Sequence, residues 1–209
     1  MIKKITINKD ILIAILSFVF VFIISFIFSI VMDLGEAESK HDPGSLLMYG
    51  RRILMIILAI AIPWILKKRT ISELGWDMTV KWFLIALAVG IFMGFFNRGG
   101  FNPMSGIAII IALFHTFSVE IFFRGYLFKT FEEGMESKWI PLVLSSFLYG
   151  LSYLTSWPIW HKPILFNIIF VGMFTLVAMP FGYGYKKSGF FWVPWLMHFF
   201  GVLKYRMLF

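Results

Sequence analysis

The run Ile11-Leu-Ile-Ala-Ile-Leu-Ser-Phe-Val-Phe-Val-Phe-Ile-Ile-Ser-Phe-Ile-Phe-Ser-Ile-Val-Met32 decides the fold class. It contains no charged residue and meets the length a bilayer demands of a helix, about 20 mostly apolar residues with a range of roughly 17–25. It is too long and too poorly ended for a cleavable signal peptide, so it is expected to be retained as a first span. The rest of the chain has the same character. Of 209 residues, 60% are hydrophobic, 20% aromatic and 14% charged, and the mean hydropathy is +0.87. Soluble domains average about 45–50% apolar and roughly 25% charged residues, so this chain lacks the polar surface to cover a globule in water. The sequence therefore predicts an all-α, polytopic transmembrane helical bundle.

Further apolar segments run from Ile53 to Leu66, Trp82 to Phe96, Gly106 to Phe128, Ile140 to Trp157, Ile164 to Tyr183 and Phe190 to Leu203. With the first, they make about seven (six to eight) membrane segments, several of them short. Polar or Gly/Pro-bearing connectors separate them: Gly35 to Gly44, Lys67 to Thr70, Asn97 to Gly100 and Lys186 to Gly189. Residues 1–68 read as two N-terminal spans and 69–209 as a transmembrane core. No separate soluble domain and no internal repeat is visible, and a carrier or channel, which usually shows repeated halves, is disfavoured. Phe190 to Phe209 fits either one tilted span or a short span followed by an interfacial helix.

Lys and Arg set the orientation. With the N-terminus cytoplasmic, the inside loops hold Lys3, Lys4, Lys9, Lys67, Lys68, Arg69, Lys81, Lys129, Lys138, Lys186 and Lys187. The outside loops hold Lys40, Arg51, Arg52, Arg98, Lys162, Lys204 and Arg206, with the acidic segment Asp33 to Asp42 beside them. This bias points to the cytoplasmic membrane of a cell. The net charge of +8 is scattered at membrane boundaries without the patterning of a nucleic-acid binder, which makes the lipid bilayer the expected partner and nucleic acid not one. Trp64, Trp82, Trp139, Trp157, Trp160 and Trp192 stand at span ends, as an interfacial belt requires.

The chain has no Cys, 4 His and 11 acidic residues, which removes disulfides and thiolate chemistry. No His pair has metal-ligand spacing, and no metal or other cofactor is expected. An ionisable group inside hydrocarbon costs roughly 2.5–3.5 kcal/mol even on lenient insertion scales, so the few that occur there usually face a bundle interior or a cavity. Only Glu120 and Arg124 read as charges well inside an apolar span. They stand four apart, on one helix face and in the favoured order. They are expected to pair, either as a self-neutralising structural ion pair or as part of a site. His115 lies about 140° around the same helix from Glu120 at 100° per residue and is not an obvious partner. His198, in the aromatic stretch Gly189 to Gly201, reads either as a packing residue or as a third site group. His41 and His161 fall in polar loops.

The segment Val119-Glu-Ile-Phe-Phe-Arg-Gly-Tyr-Leu-Phe128 resembles the first motif, EExxxR, of the CPBP family, also called the Abi or type II CAAX protease family. Ser145-Ser-Phe-Leu-Tyr-Gly-Leu-Ser-Tyr153 is similar to its second, FxxxH. Lys187-Ser-Gly-Phe-Phe-Trp-Val-Pro-Trp-Leu-Met-His198 is similar to the approach to its third, HxxxN. Thr70-Ile-Ser-Glu-Leu-Gly75 is similar to the loop preceding the family's core helices. The resemblance covers about Arg69 to Val202.

It implies an intramembrane cavity in which a Glu and a His position a water while a second His and an Asn stabilise an oxyanion. Carried over by position, the first Glu falls on Val119, the second on Glu120 and the Arg on Arg124. The motif-two Phe falls on Tyr149 and its His on Tyr153, the motif-three His on His198 and its Asn on Val202. Val takes no proton, and Tyr, with an ordinary pKa near 10, replaces a His poorly. The resemblance therefore implies a degenerate site, and the expectation leans away from an enzyme. The expected role is to bind or scaffold another membrane protein or a lipidated or leader peptide, as immunity and envelope-regulating proteins do. The alternative is an active endopeptidase using Glu120 and His198, with Arg124 in support. The discriminating feature is whether Glu120 and His198 face one cavity or Glu120 is held on Arg124 and away from His198.

Overall fold

The computed structural model describes residues 9–36, 44–67, 75, 79–95, 106–155 and 162–202. The described residues form helices and short turns with no strand. The order is α1 (Lys9–Glu36), α2 (Gly44–Lys67), α3 (Val80–Phe95), α4 (Gly106–Glu120), a π-helical segment (Ile121–Phe128), α5 (Lys129–Gly134), α6 (Ile140–Ser152) ending in a 3₁₀ turn (Tyr153–Thr155), α7 (Ile164–Ser188) and α8 (Trp192–Val202). Each of the seven expected segments corresponds to a helical stretch. Four are long and apolar enough to cross a bilayer: Lys9–Ile30, Tyr49–Leu66, Ile109–Gly134 and Ile164–Ser188. Val80–Phe92 and Ile140–Thr155 are shorter apolar helices. Large apolar side chains such as Leu16, Ile57, Ile110, Leu165 and Ile168 point out of the bundle, as they do where lipid is the solvent. Phe96, residues 37–43 of the Gly35–Gly44 connector with His41 among them, Trp157, Trp160, His161 and Leu203 to Phe209 lie outside the described residues.

Two close crossings organise the bundle, α6 against α7 and α3 against α8. Both depend on glycine. A Cβ on Gly90 of α3 would stand 2.6 Å from Phe200 Cβ of α8. A Cβ on Gly150 of α6 would stand 2.6 Å from the Val171 carbonyl oxygen of α7. Between lipid-bathed helices there is little hydrophobic drive to associate, so backbone contact through small residues supplies the packing. An open apolar groove of about 990 Å³ runs beside the α6–α7 crossing, lined by residues such as Phe26, Phe147, Leu151, Ile168 and Gly172.

The π-helical segment is the centre of the main core. All of Ile121–Phe128 is buried, packed by α1, α2, α4, α5, α6 and α7. Phe18 of α1 meets the Phe123 ring edge-on at 6.2 Å, and Ser17 Oγ lies 3.2 Å from the Tyr126 hydroxyl. The sequence reading treats Gly106 to Phe128 as one apolar helix. The structure changes hydrogen-bond pattern directly after Glu120, a widening that often marks functional sites.

The second segment requires a correction. The sequence reading starts it at Ile53 and leaves Arg51 and Arg52 in an outside loop. Both arginines lie within α2, and the candidate span is Tyr49–Leu66, 18 residues. Glu120 and Arg124 are therefore not the only charges inside an apolar span.

Candidate functional site

The end of α4 and the π-helical segment bring Glu120 and Arg124 to the bundle axis, and α8 brings His198 to meet them. Glu120 and Arg124 are both fully buried, with Arg124 Nε 3.3 Å from Glu120 Oε2. The other carboxylate oxygen, Oε1, accepts from His198 Nδ1 at 2.7 Å. This distance belongs to a charge-assisted hydrogen bond. Arg124 Nη2 donates to the Ala178 carbonyl of α7 at 2.8 Å, and its guanidinium lies over the Tyr149 ring at 4.9 Å and the Phe181 ring at 5.8 Å. The His198 ring stacks on Phe181, with centroids 5.2 Å apart. The i,i+4 spacing thus gives the pair the sequence reading expects. That reading offers two exclusive arrangements of Glu120, and the carboxylate adopts both contacts at once.

Beside this triad is a cavity of about 50 Å³, walled by Arg51, Arg52, His115, Val119, Phe123, Tyr149, Ser152 and Tyr153. It meets the positions where the sequence departs from the expected motifs: Val119, Tyr149 and Tyr153. The Tyr149 and Tyr153 hydroxyls bond each other at 2.8 Å. Val202, at the end of α8, is half-buried and not part of the wall. Glu120 and His198 also lie outside it. Tyr149, which lines the cavity, has its ring centroid 6.1 Å from that of His198.

Three wall residues escape sequence reasoning. Arg52 is nine-tenths buried and donates from Nη2 to His115 Nε2 at 3.3 Å. Arginine has no acceptor, so this ring nitrogen receives through its lone pair and the other carries the proton. Arg51 Nη1 donates to Thr155 Oγ1 at 3.2 Å. His115 does not pair with Glu120, but its ring lies 6.4 Å from that of His198. One signal could reveal the arginines: Ile53 to Leu66 is too short to span, and only an N-terminal extension through Arg51 and Arg52 repairs it.

Residues 100–203 match the family model described as type II CAAX prenyl endopeptidase Rce1-like. The chain carries an Rce1-like CAAX-protease domain. No curated protein and no solved structure matches the chain. The match covers α4 to α8, and therefore Glu120, Arg124, Tyr149, Tyr153 and His198. Helices α1 to α3 and the Thr70 to Gly75 connector precede it, and of that connector only Gly75 is among the described residues. Arg51 and Arg52 therefore reach the cavity from outside the matched Rce1-like domain.

A buried carboxylate on His Nδ1 orients the ring and leaves Nε2 as its basic atom. The triad can thus hold a proton at a defined place. The cavity, by contrast, has two guanidinium groups and hydroxyls and no carboxylate on its wall. Its electrostatics suit holding negative charge. The hydrogen-bonded Tyr pair forms part of this wall. Tyr153→Phe should lower stability by about 1–3 kcal/mol, because it strips the buried Tyr149 hydroxyl of its partner, and a thermal unfolding midpoint equal to the parent's would contradict that.

Proposed function

We propose that this Rce1-like membrane protein works without proteolysis, binding another membrane protein or a lipidated or leader peptide in an immunity or envelope-regulating role. The observation that supports this most is the composition of the cavity wall. It carries Val119 at the position of the motif's first Glu, while Glu120 turns onto His198 and Arg124. Loss of a general base forfeits about 10²–10⁴ in rate, and the position of the oxyanion Asn is Val202. The proposal includes a cytoplasmic-membrane location with the N-terminus inside. With Arg51 and Arg52 drawn into α2, the outside loops lose two cations, which sharpens the Lys/Arg bias behind that orientation.

The 2.7 Å contact between Glu120 and His198 favours a second reading, an intramembrane endopeptidase using that pair. One experiment separates the two. Purified protein in lipid should leave prenylated and leader peptides intact, and a mild-detergent pull-down should recover a stoichiometric membrane partner. Cleavage that disappears in Glu120→Gln and His198→Ala at unchanged amounts of folded protein would establish the endopeptidase instead.

A further inference from the structure

We infer that Arg51 and Arg52 form a binding site for a carboxylate carried by a membrane-embedded amphiphile. The inference deepens the binding reading above and rests on it. Two adjacent guanidinium groups inside an apolar helix are costly unless something neutralises them. No ion pair within 4.0 Å between described residues involves Arg51 or Arg52. Their hydrogen bonds go to neutral groups: Thr155 Oγ1, His115 Nε2 and Met55 Sδ. The buried Nε of each arginine has no hydrogen-bond partner, and both side chains line the cavity. Arginine recognises a carboxylate in a bidentate manner through such N–H groups. Nine-tenths burial of Arg52 keeps competing water scarce and strengthens the attraction.

Size selects among anions. A cavity needs roughly 10–15 Å³ of such volume for one water, so about 50 Å³ accommodates a few atoms, which suits the three heavy atoms of a carboxylate better than a tetrahedral phosphate. Arg51 and Arg52 stand near one end of the candidate span Tyr49–Leu66, the depth at which an amphiphile places its charged head while its apolar chain follows the helices. Two sources share that chemistry, the free C-terminus of an acylated peptide and a fatty acid.

The test uses full-length protein in nanodiscs of phosphatidylcholine at neutral pH. Binding of dodecanoyl-Ala-Ala, its C-terminal carboxamide, dodecanoate and dodecyl phosphate is measured by microscale thermophoresis. The free acid should bind at least about tenfold more tightly than the carboxamide, the factor carried by one charge-assisted hydrogen bond. Arg51→Gln/Arg52→Gln should bind the two equally. Dodecanoate binding as tightly as the acyl dipeptide supports the site and assigns its carboxylate to a fatty acid. Weaker dodecanoate binding assigns it to a peptide end. Equal binding of acid and carboxamide by the parent protein overturns the site. So does an undiminished preference in the folded double variant, or tighter binding of dodecyl phosphate. If the double variant does not fold, the acid–carboxamide comparison on the parent still decides. Glu120-dependent cleavage of the acyl dipeptide would overturn the non-proteolytic reading while leaving the acid preference intact, so the two failures are distinguishable.

Discussion

Glu120→Ala should be the most damaging single substitution in the chain, lowering stability by about 3–5 kcal/mol. The carboxylate is fully buried and touches two partners, Arg124 through Oε2 and His198 through Oε1. Its removal leaves the Arg124 guanidinium inside the bundle with only the Ala178 carbonyl and two ring faces to offset its charge. A double variant, Glu120→Leu/Arg124→Met, should recover much of the loss, because replacing both members of a buried pair removes the desolvation cost along with the attraction. The check is the unfolding midpoint in nanodiscs together with the fraction surviving gel filtration. A Glu120→Ala protein as stable as the parent would mean that the ion pair contributes nothing to the bundle.

Gly150→Val should rank second. The added Cβ would meet the Val171 carbonyl oxygen at 2.6 Å and Thr175 Oγ1 at 2.5 Å. The carbonyl is backbone and cannot swing aside, so α6 and α7 must separate. Overpacking of this kind costs typically 1–3 kcal/mol, and β-branching at a helix crossing sits at the upper end. Gly172, also in α7, supplies the control: a Cβ added there would have nothing within 4 Å. At that position Ala should be neutral or stabilising by roughly 0.5–1 kcal/mol, through helix propensity alone. Equal midpoints for Gly150→Val and Gly172→Ala would refute the close crossing.

The sequence discloses some of this architecture and hides the rest for identifiable reasons. Glu120 and Arg124 are legible because an i,i+4 pair is a local feature, fixed by helix geometry before any tertiary contact forms. The contact of Glu120 with His198 spans 78 positions and depends on how α8 packs, which no periodicity encodes. Helical spacing relates His115 only to residues on its own helix, such as Glu120, whereas its partner, Arg52, comes from α2. Arg51 and Arg52 read as loop residues because arginines at a span boundary usually snorkel to the interface; these turn inward. The π-helical segment is invisible because Ile121–Phe128 is almost uniformly apolar, so no polar face exists to reveal a change of period. The order and character of the spans are legible, since hydropathy alone carries them.

The unbroken burial from Ser118 to Phe128 means that this stretch has no boundary with the bilayer at all. On the outward faces of the long helices, at residues such as Leu16, Ile57 and Ile168, a lipid tail can flow around an altered side chain, and a charge near a helix end can reach the headgroups. For these residues the surrounding protein is the only solvent, and it is a solid one. The membrane shelters the molecule's perimeter, while its axis answers solely to the fit of its own neighbours.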